Sequence, residues 1–159
     1  MVSGQLSVVS CQGSGVRGQW PVVSCYWILV KEMAKPNFQN LHVYKLSEKL
    51  ADEIWTIVSK WDKFAKDTIG KQIVRAADSI GANIAEGSGR YNFQDNRRFV
   101  RIARASLYET RHWLRRAYTR NILTVEQVNR LIPIIDELSP KLNAYLNSIG
   151  NIPEKPTDN

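Results

Sequence analysis

Cysteine and histidine are almost missing from this chain of 159 residues: Cys11, Cys25, His42 and His112 are all it has. That inventory excludes a disulfide scaffold and a Cys-rich zinc module. No thiol follows Cys25, so the rest of the chain is compatible with a reducing compartment. No apolar run approaches the roughly 18 to 20 residues of a membrane-spanning helix. From residue 37 onward glycine occurs only at 70, 81, 87, 89 and 150, and no Asn-Gly or Asp-Gly pair signals a hairpin. No Gly-rich phosphate loop is present, and no His-x-x-x-His pair offers a metal two ligands from one helix face. What remains is ordinary globular composition, 43% apolar and 23% charged. A chain of this length suits one domain with a sizeable core.

Residues 4–11 and 18–25 match at six of eight positions, Gly-Gln-x-x-Val-Val-Ser-Cys, at an offset of fourteen. Two short copies are too few for a stacked-repeat fold. The expectation is that residues 1–33 are a low-complexity extension, disordered or translated from a nucleotide repeat upstream of a start at Met33. Arg17 followed by the apolar run 20–30 loosely imitates a secretion signal. It has no small-x-small cleavage site, and a cytoplasmic location is expected instead.

From residue 37 the apolar spacing is helical. The first segment, about 40–61, places Val43, Leu46, Leu50, Ile54, Ile57, Val58 and Trp61 on one face. The second, about 67–86, starts at the candidate cap Asp67 and lines up Ile69, Ile73, Ala76, Ala77, Ile80 and Ile84. Gly81 and Ala85, four apart, suit close approach by another helix, and Gly87 and Gly89 suit a left-handed helix end. In the third segment, about 92–120, the expected core side is Phe99, Ile102, Ala103, Ser106, Thr110, Trp113, Leu114 and Ala117. The fourth, about 124–149, opens on a Thr124/Gln127 capping box and turns Val128, Leu131, Ile132, Ile135, Leu138, Leu142, Tyr145, Leu146 and Ile149 inward. Pro133 and Pro140 interrupt it, and Ser139-Pro140 reads as a cap and first position where the helix could break and restart. Residues 151–159 are expected to be a disordered tail. Four helices with short links, within 34–150, predict an all-α, antiparallel up-down four-helix bundle.

The net charge of +7 is not spread evenly. Residues 90–120 alone hold nine arginines against Asp95 and Glu109, while residues 34–62 are neutral and residues 121–159 are net acidic. Arg97, Arg101, Arg104, Tyr108, Arg111 and Arg115 fall within about 40° of one direction on a 3.6-residue helix. Arginine grips phosphate through a planar fork, and a tyrosine within the stripe can stack on bases. The plainer reading is a solvated face or an interface to acidic groups. Like charges four apart destabilise an isolated helix, however, and call for a partner. Carboxylates near the core are few: Asp78, Glu86 and Glu109. Such groups at helix ends and flanks are usually caps and ion-pair partners, so no enzyme, cofactor or metal is expected. Asn83 reads as a polar residue that fixes register.

Ser79-Ile80-Gly81-Ala82-Asn83-Ile84-Ala85-Glu86-Gly87, with Arg90 and the later run Arg98-Phe99 through Ile102-Ala103-Arg104-Ala105-Ser106-Leu107-Tyr108-Glu109, resembles the 23S rRNA intervening sequence protein family, also called the four-helix bundle protein family. The resemblance spans about residues 36–148. It implies a bundle assembled as a homopentamer, ribosome-associated but without settled biochemical role. It also implies similarity to the accessory variability determinant of diversity-generating retroelements, which engages a reverse transcriptase and nucleic acid. Within the motif, Ser79, Asn83, Glu86, Gly87, Arg90 and Glu109 are expected to be structural, Glu86 meeting Arg90 or Arg98 and Glu109 answering Arg75. Two functions follow as expectations: nucleic-acid binding, RNA above DNA, through the arginine stripe, or a scaffold whose arginine face docks an acidic protein or a neighbouring subunit.

Overall fold

The computed structural model describes residues 37–150. The expectations for residues 1–33 and 151–159, Cys11 and Cys25 among them, lie outside the described residues. Within them the chain is all helical with no strand. A short 3-10 turn, Asn37–Asn40, leads into α1 (His42–Val58), and α2 (Lys71–Ser88), α3 (Phe93–Thr119) and α4 (Val125–Ser148) follow. These four helices share one core, α1 against α2 and α4, α2 against α3, and α3 against α4. No described helix is long and apolar enough to cross a membrane.

The α1 face packs as its spacing predicts, from Val43 to Val58, but the helix stops three residues early and Trp61 enters the core from the link. The next helical winding starts earlier than the sequence suggests. Asp62, not Asp67, is the cap: its Oδ1 accepts from Ala65 N at 3.0 Å. A helical turn, Lys63–Ala65, and a π-helical turn, Lys66–Gly70, then run into α2, and Asp67 inside that turn pairs with Lys71 at 3.0 Å. Val58 sits over Gly70 so closely that a Cβ there would lie 2.8 Å from Val58 Cγ1.

Gly87 and Gly89 do not end α2 in a left-handed conformation. Gly87 lies buried inside the helix, and Gly89 has φ −81°, which is right-handed. Positive φ occurs instead after α3, at Asn121 with φ 57°, and after α4, at Gly150 with φ 84°. At the α3 end the neighbouring bonds show the cap. There Ile122 N donates to Ala117 O at 3.0 Å and Asn121 N to Tyr118 O at 3.0 Å, the bond pair of a Schellman ending. Asn92 caps the other end, its Oδ1 accepting from Asp95 N at 2.7 Å.

α4 does not break at Pro133 or Pro140; both lie inside one continuous helix. Each interior proline costs about 3 kcal/mol. Against this stand Leu131, Ile134, Ile135, Leu138, Leu142 and Leu146, all buried, at roughly 1.5 to 3 kcal/mol each. Burial outweighs the loss because both prolines face outward, where water can reach the carbonyls they leave unpaired. The capping box forms as expected: Gln127 N donates to Thr124 Oγ1 at 3.2 Å and Thr124 N to Gln127 Oε1 at 3.0 Å.

The core face of α3 is turned from the one expected, whereas that of α4 holds except at one position. Val100 and Leu107 are buried in α3, whereas Ile102 is 40% exposed. In α4, Ile134 is buried and Ile132 is 46% exposed. Two-sided apolarity hides this rotation in the sequence, since both choices keep helical spacing.

Candidate nucleic-acid interface

The rotation of α3 moves the arginine stripe. The buried positions Val100, Ala103, Ser106, Leu107, Thr110 and Ala117 put the middle of the stripe about 125° round the helix from the core, on the flank beside α4. It is therefore not the face opposite the core. Two of its members reach α4. Arg97 Nη1 donates to Ile149 O at 2.8 Å, a favourable place for a cation just past the end of α4. Arg104 Nη1 donates to Asn143 Oδ1 at 3.3 Å. Both are half-buried.

The other four point outward. Arg101, Arg111 and Arg115 are exposed, and Tyr108 between them is 54% exposed. Among the described residues none of the three arginines has an ion-pair partner within 4 Å. The two acids of α3 are engaged elsewhere: Asp95 at the helix cap with Asn92, and Glu109 with the indole N–H of Trp113 at 3.3 Å. The free cations thus run from Arg101 to Arg115 over about 21 Å of helix, uncompensated from their own helix.

The motif residues serve the α2–α3 contact. Asn83 Nδ2 donates to Ser79 O at 2.7 Å and to Ser79 Oγ at 3.0 Å, and Ser79 Oγ lies 3.0 Å from Ser106 Oγ on α3. Ser106 also donates to Ile102 O, and Thr110 Oγ1 donates to Ser106 O at 2.8 Å. A polar thread therefore crosses from α2 into the core of α3. Glu86 pairs with Arg90, whose guanidinium also sits 4.7 Å over the Phe99 ring. Glu109 does not answer Arg75: no ion pair joins them among the described residues, because Glu109 lies on the Trp113 side. Gly87 lets α3 approach. A Cβ there would meet Asn96 Oδ1 at 2.7 Å, Phe99 Cβ at 3.0 Å and Asn96 O at 3.2 Å. Glu109 and His112 stand three apart on α3. Even so, no cluster of three His, Cys, Asp or Glu among the described residues could hold a metal ion.

Sequence reasoning missed two concavities. One, about 220 Å³, opens between the end of α3 and the start of α4; its apolar floor includes Leu114, Val128 and Leu131, and Arg111, Arg115, Tyr118 and Asp136 stand round it. Tyr118, three residues beyond Arg115, was the available signal. The other, about 660 Å³, lies outside the α1–α2 pair around Trp55, Val58, Gly70 and Val74. Beside it Glu48, Asp52 and Asp78 line an adjoining hollow. Partial desolvation against α1, and then the negative charge of Asp52, raise the Asp78 carboxyl above its usual value. His42, read as a plain surface residue, bonds Glu137 Oε1 through Nε2 at 3.1 Å. Hydrogen bonds from Lys141 and then His42 lower the Glu137 carboxyl.

Comparison with known proteins agrees with the helical fold. Residues 39–144 match the family model described as 23S rRNA-intervening sequence protein. Among solved structures the chain is similar to a protein of unknown function from the S23 ribosomal protein family of Bacteroides thetaiotaomicron. The identity is 26% and the TM-score 0.59, over 67% of this chain and 99% of that one. No curated protein matches.

Proposed function

The chain belongs to the 23S rRNA-intervening sequence protein family, and from that footing we propose that it is a non-enzymatic, cytoplasmic protein that binds nucleic acid, RNA above DNA, through α3. The observation that carries the reading is the row Arg101, Arg111 and Arg115, exposed and unpaired, with the Tyr108 ring between them. Arg97 and Arg104 belong to the support of this surface, since their guanidinium groups are held by α4. The fold we propose is the antiparallel up-down bundle. Arg97 meeting Ile149 and Arg104 meeting Asn143 support opposite directions for α3 and α4, because one number rises as the other falls.

A salt series tests the reading. Three arginine–phosphate contacts give a slope of log affinity against log salt of about −2 on a single strand. The Arg101→Glu/Arg111→Glu double variant should lose binding and keep the wild-type oligomeric mass. Salt-independent or absent binding of labelled RNA by the wild-type protein would overturn the proposal.

A second reading is favoured by the acidic hollow of Glu48, Asp52 and Asp78 on α1 and α2. In a homo-oligomer, the pentamer being the expected form, that hollow offers a neighbouring subunit's arginines a partner of opposite charge. A heterologous contact of this kind closes a ring where its rotation returns to the start. This reading predicts that the same double variant changes mass rather than RNA affinity.

A further inference from the structure

We infer that the crevice between α3 and α4 receives a single unstacked guanine base of a bound RNA strand; the inference rests on the nucleic-acid reading of α3 and deepens it. The crevice has three properties that a base site needs. Its volume, about 220 Å³, leaves room for one planar heterocycle. Its floor, including Leu114, Val128 and Leu131, is apolar, which suits the face of a base taken out of water. Its rim carries Arg111 and Arg115, one helical turn apart and both unpaired, at the end of the cationic row along which a phosphate backbone would run. Tyr118, 49% exposed on the same rim, adds a ring for stacking.

The choice of base comes from Asp136. It is the one carboxylate on this rim, and no hydrogen bond or ion pair engages its side chain among the described residues. An ionised carboxylate only accepts, and it accepts at two oxygens side by side. Of the four RNA bases, guanine alone presents two adjacent donors, N1–H and the N2 amino group, on its Watson–Crick edge. Adenine and cytosine set an acceptor beside their amino group, and uracil flanks its N3–H with two carbonyl oxygens. Each of these would point a lone pair at the carboxylate. Asp136 among arginines is thus an odd element on a surface for phosphate alone and a fitting one on a surface that also reads a base.

The test is fluorescence anisotropy of the full chain with short oligouridines carrying one central guanine, inosine, adenine or uracil, each across a salt series. The guanine strand should bind about ten-fold tighter than the all-uridine strand, the scale of one good bidentate contact. Inosine, which keeps N1–H and lacks the amino group, should fall between them, and adenine should give no gain. Asp136→Ala should erase the guanine preference and leave the salt slope intact. Val128→Phe, which fills the crevice from its floor, should do the same. Equal affinity for all four strands with the slope retained overturns this inference and leaves the arginine surface standing. A guanine preference that survives Asp136→Ala also overturns it. Failure of every strand to bind at low salt removes both.

Discussion

Alanine at position 87 and alanine at position 89 should move stability in opposite directions, although only one residue separates them. At Gly87 the new methyl would lie 2.7 Å from Asn96 Oδ1, 3.0 Å from Phe99 Cβ and 3.2 Å from Asn96 O. The first contact is readily relieved, since the amide is the end of a side chain and its oxygen is buried with no hydrogen bond to lose. The other two are not, because Phe99 Cβ and the Asn96 carbonyl move only if α3 moves. Overpacking of this kind costs about 1–3 kcal/mol. Alanine's helix propensity returns about 1 kcal/mol at most. We expect Gly87→Ala to destabilise by about 1–2 kcal/mol. At Gly89 φ is −81° and the nearest atoms to a new methyl are at 3.6 and 3.8 Å, which is ordinary contact. Gly89→Ala should therefore stabilise by about 0.4–1 kcal/mol through the unfolded chain. Urea unfolding of both variants at constant slope reads the difference directly. In thermal melts of a domain of about 100 residues each kcal/mol shifts the midpoint by roughly 4 °C or more. If Gly89→Ala costs as much as Gly87→Ala, the turn rather than the helix contact needs glycine and the reasoning fails.

Asp78→Asn should raise stability slightly at pH 7, by well under about 1 kcal/mol given solvent screening at this exposed residue. The sign follows from its raised carboxyl: burial and Asp52 disfavour the charged form in the folded state. Its contribution is present below the unfolded pKa and lost as pH rises through the folded one. Melts of the two proteins should converge as pH falls toward 4, and a gap that widens on acidification would contradict this. Thr124→Ala removes one arm of the capping box and should cost about 1 kcal/mol in urea titrations; no change would mean that the box does not hold the start of α4. Glu86→Gln should cost no more than about 0.5 kcal/mol, because the Glu86–Arg90 pair is half-exposed on both sides. A loss above about 1 kcal/mol would show that the pair, not Gly87, fixes the α2–α3 turn.

Much of this fold is legible in the sequence, and the exceptions have physical causes. The α1 and α2 faces are written in large aliphatics with polar residues opposite, so spacing alone finds Leu50, Ile54, Ile73 and Ile80. In α3 and α4 apolar residues occur on more than one side, and Ile102 and Ile132 compete with Leu107 and Ile134 for the core. Only the neighbouring helices decide between them. Asp62 and Asp67 both qualify as caps by type, and the helical turn that Asp62 starts leaves Asp67 inside the winding. Of the stripe, the common direction of six residues was readable, but the reach of Arg97 and Arg104 to Ile149 and Asn143 was not. That reach needs partners about 40 to 50 residues away in the chain. The α3–α4 crevice is shared by two helices, so Tyr118 beyond Arg115 marks only its α3 side and the sequence does not pair it with Val128, Leu131 and Asp136 of α4.

The prolines of α4 bear on the order in which the molecule comes apart. A helix that carries Pro133 and Pro140 has little stability of its own, and its amide ladder lacks two donors that any other residues would supply. α4 therefore holds its shape only while its inner face rests on α1 and α3. Cooperative opening of such a molecule begins with the segment least able to stand alone. The α4 amides should exchange with solvent deuterium at a lower free energy than those of α1 to α3. Each such excursion would release the guanidinium groups of Arg97 and Arg104 from Ile149 and Asn143 and so lengthen the row of free cations for as long as α4 stays undocked.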